Sequence, residues 1–138
     1  MPVPREAFLQ KVKQWAAFAD DDLALATLAM TAVAPAYRLV AYHAQQCAEK
    51  YLKAFLVYRE ADFPFTHKIS TLLEICEPLA PWVPQLQEAE KLTVYAVTAR
   101  YPGVEEQVTL ADATEAILLA TNVRNVVRPE LRGVGLEA

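Results

Sequence analysis

Apolar positions along the chain recur at helical spacing, and no stretch alternates with a strand's period of two. Ala16, Leu23, Ala26 and Met30 mark the buried stripe of a first helix read from about Arg5 to Thr31. Pro4 suits a first helical position and Pro35 bars continuation. Asp20, Asp21 and Asp22 interrupt the stripe; they read as a solvated face or as a break between two shorter helices, with one long helix favoured. Ala41, Ala44, Ala48, Leu52 and Phe55 step by three or four through a second helix from about Ala36 to Arg59, and its small residues let a neighbour approach closely. Thr66 is a candidate N-cap for a short third helix, His67 to Glu77. Pro78, Pro81 and Pro84 predict a stiff connector.

The fourth helix is read from about Gln85 to Arg100, ended by the Tyr101–Gly103 turn. The fifth starts near Leu110, where Thr109 and Asp112 have the spacing of a capping box. Ala113, Ala116, Ala120, Val123 and Val127 form its stripe, and Pro129 stops it. The expected architecture is all-α, an antiparallel up-down bundle of four to five helices. It forms one domain over residues 1–138, with a core at about 5–128 and a loose tail at 129–138.

Composition narrows the function. At 138 residues and 54% apolar content the chain can build a core without disulfides. A net charge of −4 argues against general DNA or other non-specific nucleic-acid binding, while leaving room for a local basic patch. Cys47 and Cys76 are too few for a disulfide framework, and with two His they do not make a zinc site. They read as buried reduced thiols of a cytoplasmic protein without a signal peptide. The apolar run Leu23–Ala36 falls short of the roughly 20 residues of a membrane span. Neither a phosphate loop nor a dinucleotide fingerprint is present, so no cofactor is expected, and the single Ser70 lacks a nucleophile elbow.

The candidate chemistry lies on the second helix. His43, Gln46, Lys50 and Lys53 share one face, and Glu49 precedes Lys53 by four positions. This face reads either as solvated or as a groove for an anionic group, with the lysines as point charges. His67 suits packing or capping at the third helix, and Arg100 complements a helix C-terminus. Arg124, Arg128 and Arg132 read as a solvated stripe or as phosphate ligands.

Three segments in order resemble the HEPN domain family: "AYHAQQCAEKYLKAFLV", "FPFTHKISTLLEIC" and "TARYPG". The early "DDDLALATLAM" and the late "ADATEAILLATNV" fit the same pattern, so the resemblance spans about residues 15–128. It is similar to the stand-alone prokaryotic HEPN proteins encoded beside a minimal nucleotidyltransferase (MNT). The resemblance implies a helical bundle that forms a two-fold homodimer, with an MNT partner, a nucleotide or RNA as ligands, in a toxin–antitoxin or nucleotide-handling system. It makes Gln46, Glu49, Lys50, Lys53, His67, Arg100 and Tyr101 candidates for nucleotide or partner binding, or for a polar cluster that orders the bundle. Dimer contacts are expected near Arg100 and the second helix.

Other HEPN domains are metal-independent ribonucleases with an Arg, four to six residues, then a His. Here Arg38 and His43 have that spacing, but at the start of the second helix, where the family does not place the motif. No His follows Arg100, Arg124 or Arg128. The expectation is therefore a non-catalytic binding module. A ribonuclease and a purely structural dimeric bundle are the alternatives.

Overall fold

A computed structural model describes residues 4–98 and 107–134, and every regular element among them is helical. They are α1 (Pro4–Ala29), α2 (Tyr37–Tyr58), α3 (Ile69–Cys76), α4 (Tyr95–Thr98) and α5 (Leu110–Val127). Three 3₁₀ segments, Glu77–Leu79, Val83–Val94 and Arg128–Val134, connect or extend them. The expected all-α bundle is the fold.

α2 is the centre. It packs along α1 on one side and α5 on the other, and α3, α4 and the 3₁₀ segments Val83–Val94 and Arg128–Val134 also touch it. Fourteen of its 22 residues are buried, which few helices outside a core achieve. Alanines make this crowding feasible: Ala16, Ala19 and Ala26 on α1, Ala41, Ala44 and Ala48 on α2, and Ala113, Ala116 and Ala120 on α5 are all buried. Leu52, Phe55 and Leu56 fill the α2 core, each stabilising by about 1.5–3 kcal/mol. The Phe55 ring meets Trp82 edge-on at 4.8 Å.

α1 runs unbroken through its three aspartates. The Thr109–Asp112 capping box forms, with Thr109 Oγ1 accepting from the Asp112 amide and Asp112 Oδ2 from the Thr109 amide. All five residues of the predicted α5 stripe are buried.

Three expectations are corrected. Thr66 does not cap α3: its hydroxyl accepts from the Lys68 amide in a local turn, α3 starts at Ile69 rather than His67, and the Ile69 amide donates to Thr93 Oγ1. The fourth helix is mostly 3₁₀, with α-geometry from Tyr95. Its buried residues, Val83, Leu86, Ala89 and Leu92, repeat every three positions. That stripe stays on one side of a helix with three residues per turn, whereas in an α-helix it would drift by about 60° at each step. The Tyr101–Gly103 turn lies outside the described residues. The chain after Pro129 is not a loose tail as far as Val134, because Leu131 and Val134 are buried in the core.

α2 ends in a Schellman motif. The Ala61 amide donates to Leu56 O and the Glu60 amide to Val57 O. Glu60 has φ 56°, the left-handed conformation that favours glycine. Glu60→Gly is therefore expected to raise the unfolding free energy by about 1 kcal/mol, measured by urea denaturation. An unchanged or lower value would contradict the strain assigned to this cap.

Candidate functional site

A helix with neighbours on both sides has little room for a solvated face, and α2 has none along most of its polar side. Gln45, Gln46, Glu49 and Lys53 are buried, so the solvated-face reading fails. Buried polar groups must find partners inside the protein. Three carboxylates organise this side of α2, each tying α2 to another part of the chain.

Glu49 is the innermost. Its Oε1 accepts from Gln45 Nε2 at 3.0 Å and pairs with His67 Nδ1 at 2.8 Å, while Oε2 accepts from Lys53 Nζ at 2.9 Å. Gln45 also donates to the His67 carbonyl at 3.2 Å, and its own Oε1 accepts from Gln46 at 2.7 Å. The loop before α3 is thereby tied to α2 through both the imidazole and the backbone of His67. Burial works to raise the Glu49 carboxyl, but the hydrogen bonds from Lys53, Gln45 and His67 outweigh it and hold the group below its ordinary value. The Lys53 ammonium lies 5.6 Å from the Trp15 ring and 5.6 Å from the Phe65 ring, a cation held between two aromatic faces.

Asp22 is the second clamp. It reaches from α1 to two α2 residues, His43 (Nδ1 to Oδ1, 2.8 Å) and Lys50 (Nζ to Oδ2, 2.6 Å). A carboxylate only accepts, so the His43 proton sits on Nδ1 and Nε2 faces away. The His43 and Lys50 side chains keep 25% and 21% of their surface exposed, and the exposed Phe18 ring lies 5.9 Å from the Lys50 ammonium.

Asp20 is the third. Two positions from Asp22, it lies about 200° around α1 and serves the other flank of α2. It accepts from Arg124 Nε and Arg128 Nη1, each at 2.9 Å, and from the Tyr51 hydroxyl. Burial first, then the bond to Asp20, pushes the Tyr51 phenol up, so it stays a neutral donor. The cluster joins α1, α2 and the end of α5. Arg124 and Arg128 are thus tied to a carboxylate and are not a solvated stripe.

The structure therefore brings Gln46, Glu49, Lys53 and His67 into one hydrogen-bonded chain and puts Lys50 and His43 on the neighbouring clamp. Arg38 is exposed, and five positions from His43 place the two about 140° apart around α2, so the predicted Arg/His pair does not share a face. Arg100 and Tyr101 lie outside the described residues. The sequence does not mark Gln45, Tyr51, Asp20 and Asp22 as site residues, the aspartates reading only as a solvated face or a helix break, although Gln45 precedes Glu49 by one helical turn, a spacing at which amide and carboxylate meet. Cys47 and Cys76 are buried and free, and burial pushes the Cys76 thiol up to about 12. Among the described residues no group of His, Cys, Asp and Glu could hold a metal ion, and no helix is long and apolar enough to cross a membrane.

A family model described as "HEPN domain" matches residues 12–130. Among solved structures, the crystal structure of an archaeal HEPN homologue superposes with a TM-score of 0.70 at 28% identity, covering 87% of this chain and 97% of that one. No curated protein sequence matches.

Removing the Glu49 carboxylate leaves Lys53 buried without its counter-ion. Glu49→Ala is expected to cost about 3–5 kcal/mol in urea unfolding; a loss below about 1 kcal/mol, as for an exposed pair, would contradict the clamp. Because the folded Glu49 carboxyl titrates below its ordinary value of 4.5, its contribution is present above that pH and is lost as pH falls through the depressed value. The stability gap between wild type and Glu49→Gln should accordingly narrow on acidification below about pH 4.5. A gap that stays constant to pH 3 would show that the carboxylate is not held in its charged form.

Proposed function

The chain belongs to the HEPN domain family, and from that premise we propose that it is a non-catalytic, homodimeric module that binds a nucleotide or an MNT-type partner. Its setting would be a toxin–antitoxin-like or nucleotide-handling system. The observation that carries the reading is the Asp22 clamp, where Lys50 and His43 are held in place by one buried carboxylate and still reach solvent beside the exposed ring of Phe18. A fixed cation beside an oriented imidazole, both still reaching solvent, suits a phosphate-bearing ligand. Prior fixation also lowers the ordering cost of binding. His67, with Phe65 beside it, extends this edge. Glu49, Gln46 and Lys53 support it from beneath and do not touch the ligand. The separation of Arg38 from His43 favours binding over RNA cleavage.

One feature favours the alternative. His43 oriented by Asp22 through Nδ1 leaves Nε2 outward, as a general base requires. Incubation with RNA in EDTA tests it: the binding reading expects no cleavage above buffer, and cleavage lost in both His43→Ala and Asp22→Asn would make the dyad a ribonuclease centre.

The direct test is thermal shift with ATP, GTP, CTP and UTP. A ligand at 100 times its Kd stabilises by about 2.7 kcal/mol, so at least one nucleotide should raise the melting temperature of wild type and not that of Lys50→Ala, each compared with its own unliganded melt. The absence of any shift at millimolar nucleotide would contradict nucleotide binding and leave the protein partner.

A further inference from the structure

α1 is buried on one side only. Its outward side carries Ala7, Lys11, Gln14, Phe18, Asp21, Leu25 and Leu28, all exposed and separated by four, three, four, three, four and three positions. This is the seven-residue repeat with which one helix keeps a seam facing another, here on a helix of 26 residues, about 39 Å long. Phe18, Leu25 and Leu28 are 58%, 47% and 67% exposed. A groove of about 230 Å³ lies along Lys11, Gln14, Trp15 and Phe18. Asp20 and Asp22 turn inward to ion pairs, whereas Asp21 between them makes no ion pair with any described residue, and neither does Lys11.

We propose that the occupant of this stripe is a second copy of the chain, packed α1 against α1 and antiparallel about a two-fold axis level with residue 16. The inference rests on the homodimeric reading above and adds the face that makes the dimer, which is neither α2 nor the region of Arg100. A two-fold antiparallel pair places facing residues so that their numbers have a constant sum. With a sum of 32, Lys11 faces the partner's Asp21, Gln14 faces the partner's Phe18 and Ala7 faces the partner's Leu25. Both charges, unpaired among the described residues, are then matched twice by symmetry, and the partner's Phe18 enters the groove. Shifting by one repeat, to a sum of 39, sets Asp21 against a Phe18 ring and Lys11 against Leu28, which desolvates both charges without a partner. Charge complementarity therefore selects the first register. Because Phe18 also covers Lys50, the second copy borders the Asp22 clamp, and its Gln14 becomes part of the edge proposed to bind ligand.

Sedimentation velocity at micromolar concentration, on the full chain, tests the register with wild type, Lys11→Glu, Asp21→Lys and the double exchange Lys11→Glu/Asp21→Lys. These positions are exposed, and thermal melting confirms that each variant folds. Wild type should be a dimer. Each single reversal should weaken dimerisation roughly a hundredfold through like charges faced twice, and the double exchange should restore it. A wild-type dimer unaffected by the single reversals, or a double exchange as weak as they are, overturns the α1 pairing and leaves the homodimer reading intact. A monomeric wild type overturns both.

Discussion

The buried Glu49 carboxylate is the constraint around which the rest of the bundle is arranged. α2 has α1 on one side and α5 on the other, so charges placed along it have little access to water. An ionised carboxylate in such a place is tolerable only when its lone pairs are filled. Gln45, Lys53 and His67 fill them, and each fixes something in turn. Lys53 draws Trp15 and Phe65 around its ammonium, His67 pins the loop before α3, and Gln45 holds that loop's backbone and orders Gln46. Asp22 and Asp20 repeat the logic from α1, one toward His43 and Lys50, the other toward Tyr51, Arg124 and Arg128. The alanine-rich contacts between helices are not shape-specific by themselves, and these clamps supply directional bonds between them.

The same arrangement divides structural from functional roles. Lys53 and Glu49 are enclosed and work as internal struts. Lys50, His43 and His67 are anchored at one end and open at the other, which is the geometry expected of a preorganised binding edge. On α1, turning Asp20 and Asp22 inward leaves Asp21 outward on a stripe that includes Phe18, Leu25 and Leu28. Three successive acids thus serve three directions, and the proposed ligand edge and the proposed dimer face meet at Phe18.

Much of the fold was legible because α-helical periodicity and capping are local. Thr109, Asp112 and the five-residue stripe of α5 contain their own instructions, and so do the alanines of α2. The HEPN resemblance rests on local segments, of which "AYHAQQCAEKYLKAFLV" is mostly buried. What failed was non-local. Nothing in "DDD" reveals that its first and third members lie under α5 and α2, because that depends on which helix packs where. Gln46, Glu49 and Lys53 were singled out as polar, but their burial follows from α2 being central, a tertiary fact. The 3₁₀ segment was legible in principle, since Val83, Leu86, Ala89 and Leu92 repeat every three residues. A run of 12 such residues departs from the short pieces in which this helix usually occurs, so the α-helical expectation prevailed. The burial of Leu131 and Val134 is not legible in the sequence, because Pro129 ends α5 without ending the packed structure.

A double-mutant cycle between Glu49 and Lys53, using Glu49→Gln, Lys53→Met and the pair in urea unfolding, tests the clamp most directly. If the buried pair organises the bundle, each single change is costly and the double loses far less than their sum, with a coupling of about 2–3 kcal/mol. Additive losses, with coupling below about 0.5 kcal/mol, would mean that the two groups do not depend on each other and that the bundle is held by its apolar core alone.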